Sequence, residues 1–109
     1  EIHSKTVKLD HVADADLLAI VRDGLRQTVT EGTARSLQSV PTPVAGKTGT
    51  AQFGDDKQTH SWFTGFAPAD DPQIVIAVLV EGGRESTEAA VPVANRFLTD
   101  WWQITHPED

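Results

Sequence analysis

The stretch "PVAGKTGTAQF", Pro43 to Phe53, sets a lysine and two threonines between glycines, and its reading decides the rest of the chain. A Gly-Lys-Thr run is what the phosphates of a nucleotide need, but such a loop also needs a glycine five residues before Gly46, where backbone N–H groups wrap the anion. Pro41 stands there, with no N–H to donate; Pro43 stiffens the same turn, and no helix start follows Thr48. The residues argue against a phosphate loop. The other reading is an edge strand facing an extended, anionic ligand. Gly49 lets a ligand backbone come close, Thr48 and Thr50 offer hydroxyl donors to a carboxylate, and Lys47 supplies positive charge.

Outward from that stretch the pattern predicts helix, three strands, helix. From Asp14 to Glu31, Leu17, Ile20, Val21, Leu25 and Val29 recur at helical spacing, Asp14 and Asp16 sit in the first turn, and Gly32 is a natural stop. "QSVPTPV" then forbids helix and favours extended chain. Val44 to Phe53 reads as a strand ending at the turn "GDDKQ". In "HSWFTGFAP" alternation puts His60, Trp62, Thr64 and Phe66 on one face and Ser61, Phe63, Gly65 and Ala67 on the other, before the turn "PADDP". The third strand, Gln73 to Glu81, is apolar at every position from Ile74 to Val80, as expected of a central strand covered on both faces. After the "GGRES" loop, Thr87 to Trp102 reads as a helix with Pro92 near its start and Ala90, Ala94, Phe97, Leu98 and Trp101 toward a core. Two helices can cover one face of a small antiparallel sheet. The third strand asks for cover on both, so an apolar face is expected to be left for another chain or segment.

Composition narrows the function classes. The 109 residues make one domain at most. Nine Lys and Arg against sixteen Asp and Glu give a net charge of -7, which disfavours a nonspecific grip on nucleic acid or an anionic membrane. With no cysteine there is no disulfide, thiolate metal site or cysteine nucleophile. His3, His11, His60 and His106 are too scattered for a metal-ligand pattern. The longest apolar run, Ile74 to Val80, is far short of the roughly 20 residues of a membrane helix. The first residues carry no secretion signal. A chain that starts at Glu1 and contains no methionine is expected to be a processed or excised piece of something longer.

Lys-Thr-Gly belongs to a set, with Ser-x-x-Lys and a Ser-x-Asn-type motif, found in penicillin-binding proteins and class A β-lactamases. "GKTGTAQ", "HSWFTGFAPADDPQIVIAVLVEGG" and "AAVPVANRFL", in that order, resemble the C-terminal part of a class B penicillin-binding protein, a monofunctional D,D-transpeptidase of cell-wall synthesis. "VRDGLRQTVTEGTA" resembles the helix before the Lys-Thr-Gly motif. The resemblance covers nearly the whole chain. It implies an α+β fold in which residues 1–109 are the C-terminal portion of a transpeptidase domain, contributing three of the five strands of an antiparallel sheet flanked by helices. The Lys-Thr-Gly strand would be its edge, facing the active-site cleft.

The chain also departs from the family. Acyl transfer needs a serine with a lysine one helical turn later, and no Ser-x-x-Lys occurs; Ser36 and Ser39 precede no lysine at that spacing. Ser-x-Asn is absent too, for the only asparagine, Asn95, has Val93 two residues before it. The nucleophile is expected on an upstream segment of the same domain, and this chain alone is expected to be inactive. By resemblance, Lys47 and Thr50 would be catalytic: Lys47 ties the strand electrostatically to the two missing motifs, and the Thr50 N–H forms half of the oxyanion hole. Thr48, Gly49 and Thr50 would bind substrate, the hydroxyls holding the carboxylate of a peptidoglycan stem peptide or a β-lactam. No cofactor is implied. The parent would work outside the cytoplasm, anchored by an N-terminal membrane helix.

Plainer roles compete. A strand threonine often serves β-propensity and an exposed lysine is often a solvated charge. Gly46 and Gly49 read as sites of close approach rather than a bulge. Trp62 and Phe66 read as core, His60 as structural, Arg84 as a solvated loop charge, and Trp101 and Trp102 as closing the core. At the level of the protein, a non-catalytic peptide-binding or sensor module and a β-lactamase fragment are the alternatives to a transpeptidase.

Overall fold

The computed structural model describes residues 6–7, 12–53, 58–83 and 89–107. The expected turn "GDDKQ" up to Lys57, the "GGRES" loop from Arg84, the proposed helix start at Thr87, and His3 and His11 lie outside the described residues. Helix α1 spans Ala15–Thr30, a 3₁₀ turn covers Arg35–Ser39, strands β1 (Ala45–Phe53), β2 (Gln58–Ala67) and β3 (Ile74–Gly83) follow, and helix α2 runs Ala90–Thr105. The element order expected from the sequence is the one observed.

Helix α1 stops where its glycine requires. The N–H groups of Glu31 and Gly32 both donate to Gln27 O, at 2.8 and 3.0 Å, and a Cβ on Gly32 would lie 3.1 Å from both Thr28 Cα and Thr28 O. Two last-turn carbonyls that a helix end leaves without partners, those of Val29 and Thr30, accept from Gln38 Nε2 at 2.9 and 3.0 Å. Arg26 Nη1 donates to Val44 O at 2.6 Å and pins α1 to the start of β1.

The strands form an antiparallel sheet in the order β1-β2-β3. Register opposes Gly46 to Gly65, Thr48 to Phe63 and Thr50 to Ser61, and β2 continues it with Phe63 opposite Val78 and Gly65 opposite Ile76. Opposed residues share a face. One face therefore carries Gly46, Thr48, Thr50, Ser61, Phe63, Gly65, Ile76, Val78 and Val80, and α2 packs on it. Phe63 and, from α2, Val91, Ala94 and Leu98 are fully buried there, joined by Leu37 of the 3₁₀ turn, Val29 and Val44. Burying a side chain the size of Leu98 or Phe63 contributes about 1.5–3 kcal/mol.

The opposite face carries Lys47, Gly49, Trp62, Thr64, Phe66, Val75, Ala77 and Leu79. Here the apolar face expected to be left for another chain or segment is present. Val75 is 74% exposed and Leu79 42%, and among the described residues β3 is the outer strand on the side away from β1. The two helices do not share a face. Leu18, Val21 and Leu25 of α1 line an open cavity of about 330 Å³ together with Phe66, Pro72 and Val75. Leu17, Leu18, Ile20 and Val21 are exposed, and Val29 is the one residue of α1 that is buried.

Three smaller expectations need correction. Phe97, placed toward the core by periodicity, is 50% exposed, because the buried stripe of α2 runs through Ala90, Val91, Ala94 and Leu98, and Phe97 falls beside it. Trp62 is exposed on the open face rather than core. Of the final tryptophans, Trp101 is half-buried against the core, whereas Trp102 stacks on His106 with ring centroids 3.6 Å apart. His60 accepts a hydrogen bond from the Gly82 N–H at Nδ1.

Candidate functional site

Among the described residues, β1 is an outer strand of the sheet. One side pairs with β2 along its whole length, and among the described residues no strand pairs with the other. Such a row of backbone groups is what an extended peptide uses to add itself to a sheet.

The five residues from Gly46 to Thr50 sort by what each touches. Lys47 is exposed on the open face, beside Thr64, and its Nζ donates to its neighbour's carbonyl, Thr48 O, at 2.8 Å. Thr48 and Thr50 lie on the other face, opposite Phe63 and Ser61. Strict alternation thus separates Lys47 from Thr48, as the sequence requires, and both faces border the side of β1 that no described strand covers. The Thr48 hydroxyl is 2.7 Å from that of Thr33, which follows the end of α1.

The two glycines differ. A Cβ on Gly46 would lie 2.5 Å from Phe63 Cζ and 2.6 Å from Thr64 O, so this glycine exists for the protein's own packing: the Phe63 ring lies across it. Among the described residues Gly49 has only Trp62 Cβ nearby, at an ordinary 3.8 Å. Its missing side chain leaves space that nothing described in the chain fills.

Thr33 is not legible in the sequence as a site residue, because "EGTA" reads only as the tail of a helix; its hydroxyl partner is fifteen residues away. The one signal that points to it is a hydroxyl just past a glycine stop, on a helix that must dock beside the Lys-Thr-Gly strand. Thr33 also lines an open cavity of about 550 Å³ with Glu31, Gly32, Arg35 and Ser36. Asn95 is architectural. Its Nδ2 donates to Ser36 O and Ser39 Oγ, both at 2.8 Å, joining α2 to the 3₁₀ turn. Among the described residues no cluster of His, Asp and Glu could hold a metal, and no helix is long and apolar enough to cross a membrane.

A family model for the penicillin binding protein transpeptidase domain matches residues 3–99. The chain belongs to the penicillin-binding protein transpeptidase family. Peptidoglycan D,D-transpeptidase MrdA of Acinetobacter baumannii is 33% identical over 103 residues, which take in 82% of this chain and 15% of that protein. Stage V sporulation protein D of Bacillus subtilis is 36% identical over 89 residues, 73% of this chain and 14% of its own. Among solved structures, the D,D-transpeptidase domain of a peptidoglycan glycosyltransferase from Eggerthella lenta superimposes with a TM-score of 0.76 at 32% identity, covering 97% of this chain and 24% of that one. The chain thus spans about 15% of the length of these two curated relatives.

Proposed function

We propose that this chain supplies the substrate-holding edge strand of a serine D,D-transpeptidase that cross-links peptidoglycan and is acylated by β-lactams. The observation that supports the reading is β1 itself: an outer strand among the described residues, with Lys47 on one face, two hydroxyls on the other, and a glycine between them whose Cβ position meets no close neighbour among the described residues.

The chemistry follows from what each group can do. A serine on an upstream segment of the same domain attacks the carbonyl of a stem peptide's terminal amide bond, and a lysine one helical turn from it takes the hydroxyl proton. The serine oxygen forms a bond to that carbon, the amide C–N bond breaks, and the amine leaves with a proton. As the carbonyl oxygen becomes an oxyanion, the Thr50 N–H and the nucleophile's own N–H stabilise it. Thr48 and Thr50 hold the terminal carboxylate, and the Lys47 ammonium keeps the site positive toward both anions. An acceptor amine then replaces the enzyme's serine and closes the cross-link. A β-lactam enters the same way, but its ring-opened amine stays tethered. The parent works at the outer face of the cytoplasmic membrane, held there by an N-terminal helix.

The test is peptide mapping of the complete protein after incubation with benzylpenicillin. A single penicilloyl adduct on a serine of an upstream Ser-x-x-Lys is expected. An adduct on Ser36, Ser39 or Ser61 would overturn the assignment of the nucleophile, and a protein that takes up no penicillin would overturn the transpeptidase reading in favour of a binding module.

A further inference from the structure

The contact between Thr33 and Thr48 carries more than packing. Their hydroxyl oxygens are 2.7 Å apart, a full-strength O–H···O distance, and either atom is able to donate. A threonine hydroxyl has one proton and two acceptor lone pairs. If Thr48 gives its proton to Thr33, it has none left for a ligand. If Thr33 gives its proton to Thr48, the Thr48 proton is released toward the open edge, and the donated bond polarises the Thr48 O–H further. A carboxylate at that edge rewards the second arrangement, since hydrogen bonds to an ionised acceptor are roughly twice as strong as neutral ones.

Thr33 is held in place by bonds that do not involve its own hydroxyl. Gly32 N–H donates to Gln27 O and Ala34 N–H to Thr28 O, both at 3.0 Å, on either side of it, and the Ala34 side chain is fully buried. Arg26 fixes the same helix to Val44 at the start of β1. The Thr33 side chain is itself exposed and lines the 550 Å³ cavity, so its hydroxyl can be removed without opening a hole in the core.

We propose that Thr33 is a positioning residue whose hydroxyl donates to Thr48 Oγ1, aims the Thr48 proton at the ligand's carboxylate, and thereby sets the preference for ligands with a free carboxylate. This rests on β1 being the carboxylate-holding strand of a transpeptidase. The probes are benzylpenicillin and its methyl ester, which share the reactive ring and differ in the carboxylate. Second-order acylation rates are measured on the complete protein, with melting temperatures for every variant. Thr33→Val lowers the benzylpenicillin rate about tenfold, the usual scale for one lost hydrogen bond to a charged system, and leaves the ester rate unchanged. Thr33→Ser restores it. On a Thr48→Val background, Thr33→Val has no further effect. Thr33→Ala removes the same hydroxyl and replaces the valine variant should that one not fold. An equal loss with both probes, a loss that persists on the Thr48→Val background, or no loss at all overturns the proposal. Wild-type protein that discriminates between the probes while Thr33→Val matches it would sink this inference alone. Wild-type protein acylated by neither probe removes the transpeptidase reading and this inference together.

Discussion

Gly46 and Gly49 stand three residues apart on one strand and answer to different demands. Gly46 faces Gly65 across β1 and β2, and the ring of Phe63 closes over both; a Cβ on Gly65 would lie 2.6 Å from Ala45 O and from Phe63 Cζ. Gly65→Ala is therefore expected to lower unfolding stability by about 1–3 kcal/mol, as overpacking does, measured by urea denaturation of the complete protein. Gly49→Ala meets no such neighbour and should leave stability within about 0.5 kcal/mol of wild type, while slowing acylation by benzylpenicillin because the methyl occupies the ligand's approach. Lys47 gives the complementary case. Its side chain is exposed and its one described bond is to a carbonyl next door, so Lys47→Ala should barely move the melting temperature yet reduce the acylation rate on the order of a hundredfold, the scale of losing a preorganised charge at a reacting centre. Equal stability losses for Gly49→Ala and Gly65→Ala would show that the open position beside Gly49 belongs to packing after all.

Among elements, the corner made by the end of α1, the 3₁₀ turn and α2 fixes where β1 begins. It is a polar joint: Gln38 holds the last carbonyls of α1, and Asn95 holds Ser36 and Ser39. Asn95→Ala leaves the Ser36 carbonyl without its partner and should destabilise the complete protein by about 1–3 kcal/mol, with the acylation rate of the folded fraction unchanged. A loss of acylation without a loss of stability would instead give Asn95 a role at the site. The bounds of α1 and β1 were legible in the sequence. Leu17 to Val29 gave α1 its period and Gly32 its end, and the start of β1 fell one residue from its expected place. Helix α2, by contrast, begins and ends three residues later than the expected Thr87 to Trp102, and the 3₁₀ turn, which takes in Gln38 and Ser39 of the stretch read as extended, was not anticipated. What the period cannot say is which other element lies against a stripe. Phe97 and Leu98 are adjacent and equally apolar, and only the position of the sheet decides that one is half exposed and the other fully buried. The Thr33 to Thr48 pair was illegible for a related reason, since it joins two elements whose docking no local pattern encodes.

At the scale of the molecule, the open sheet face and α1 present Leu18, Val21, Trp62, Val75 and Leu79 to solvent along one side. Apolar patches of that kind on a lone chain drive association. The 109-residue chain on its own is expected to elute in light-scattering chromatography with a mass that rises with concentration, and Val75→Lys together with Leu18→Glu should return it to a monomer. A wild-type chain that stays monomeric at every concentration would contradict this. The unbroken run Ile74 to Val80 anticipated such a face; it could not show that the face would also include the outward side of α1, because the periodic leucines and isoleucine look the same whether or not their partner is present. The family is reached from sequence and fold together, and the role proposed for the Lys-Thr-Gly strand is the claim most exposed to test. The direct measurement is a crystal structure of the complete protein acylated by benzylpenicillin. The penicilloyl carboxylate is expected within about 2.6–3.2 Å of both the Thr48 and Thr50 hydroxyl oxygens. A carboxylate bound elsewhere, with β1 untouched, would refute the role given to this strand.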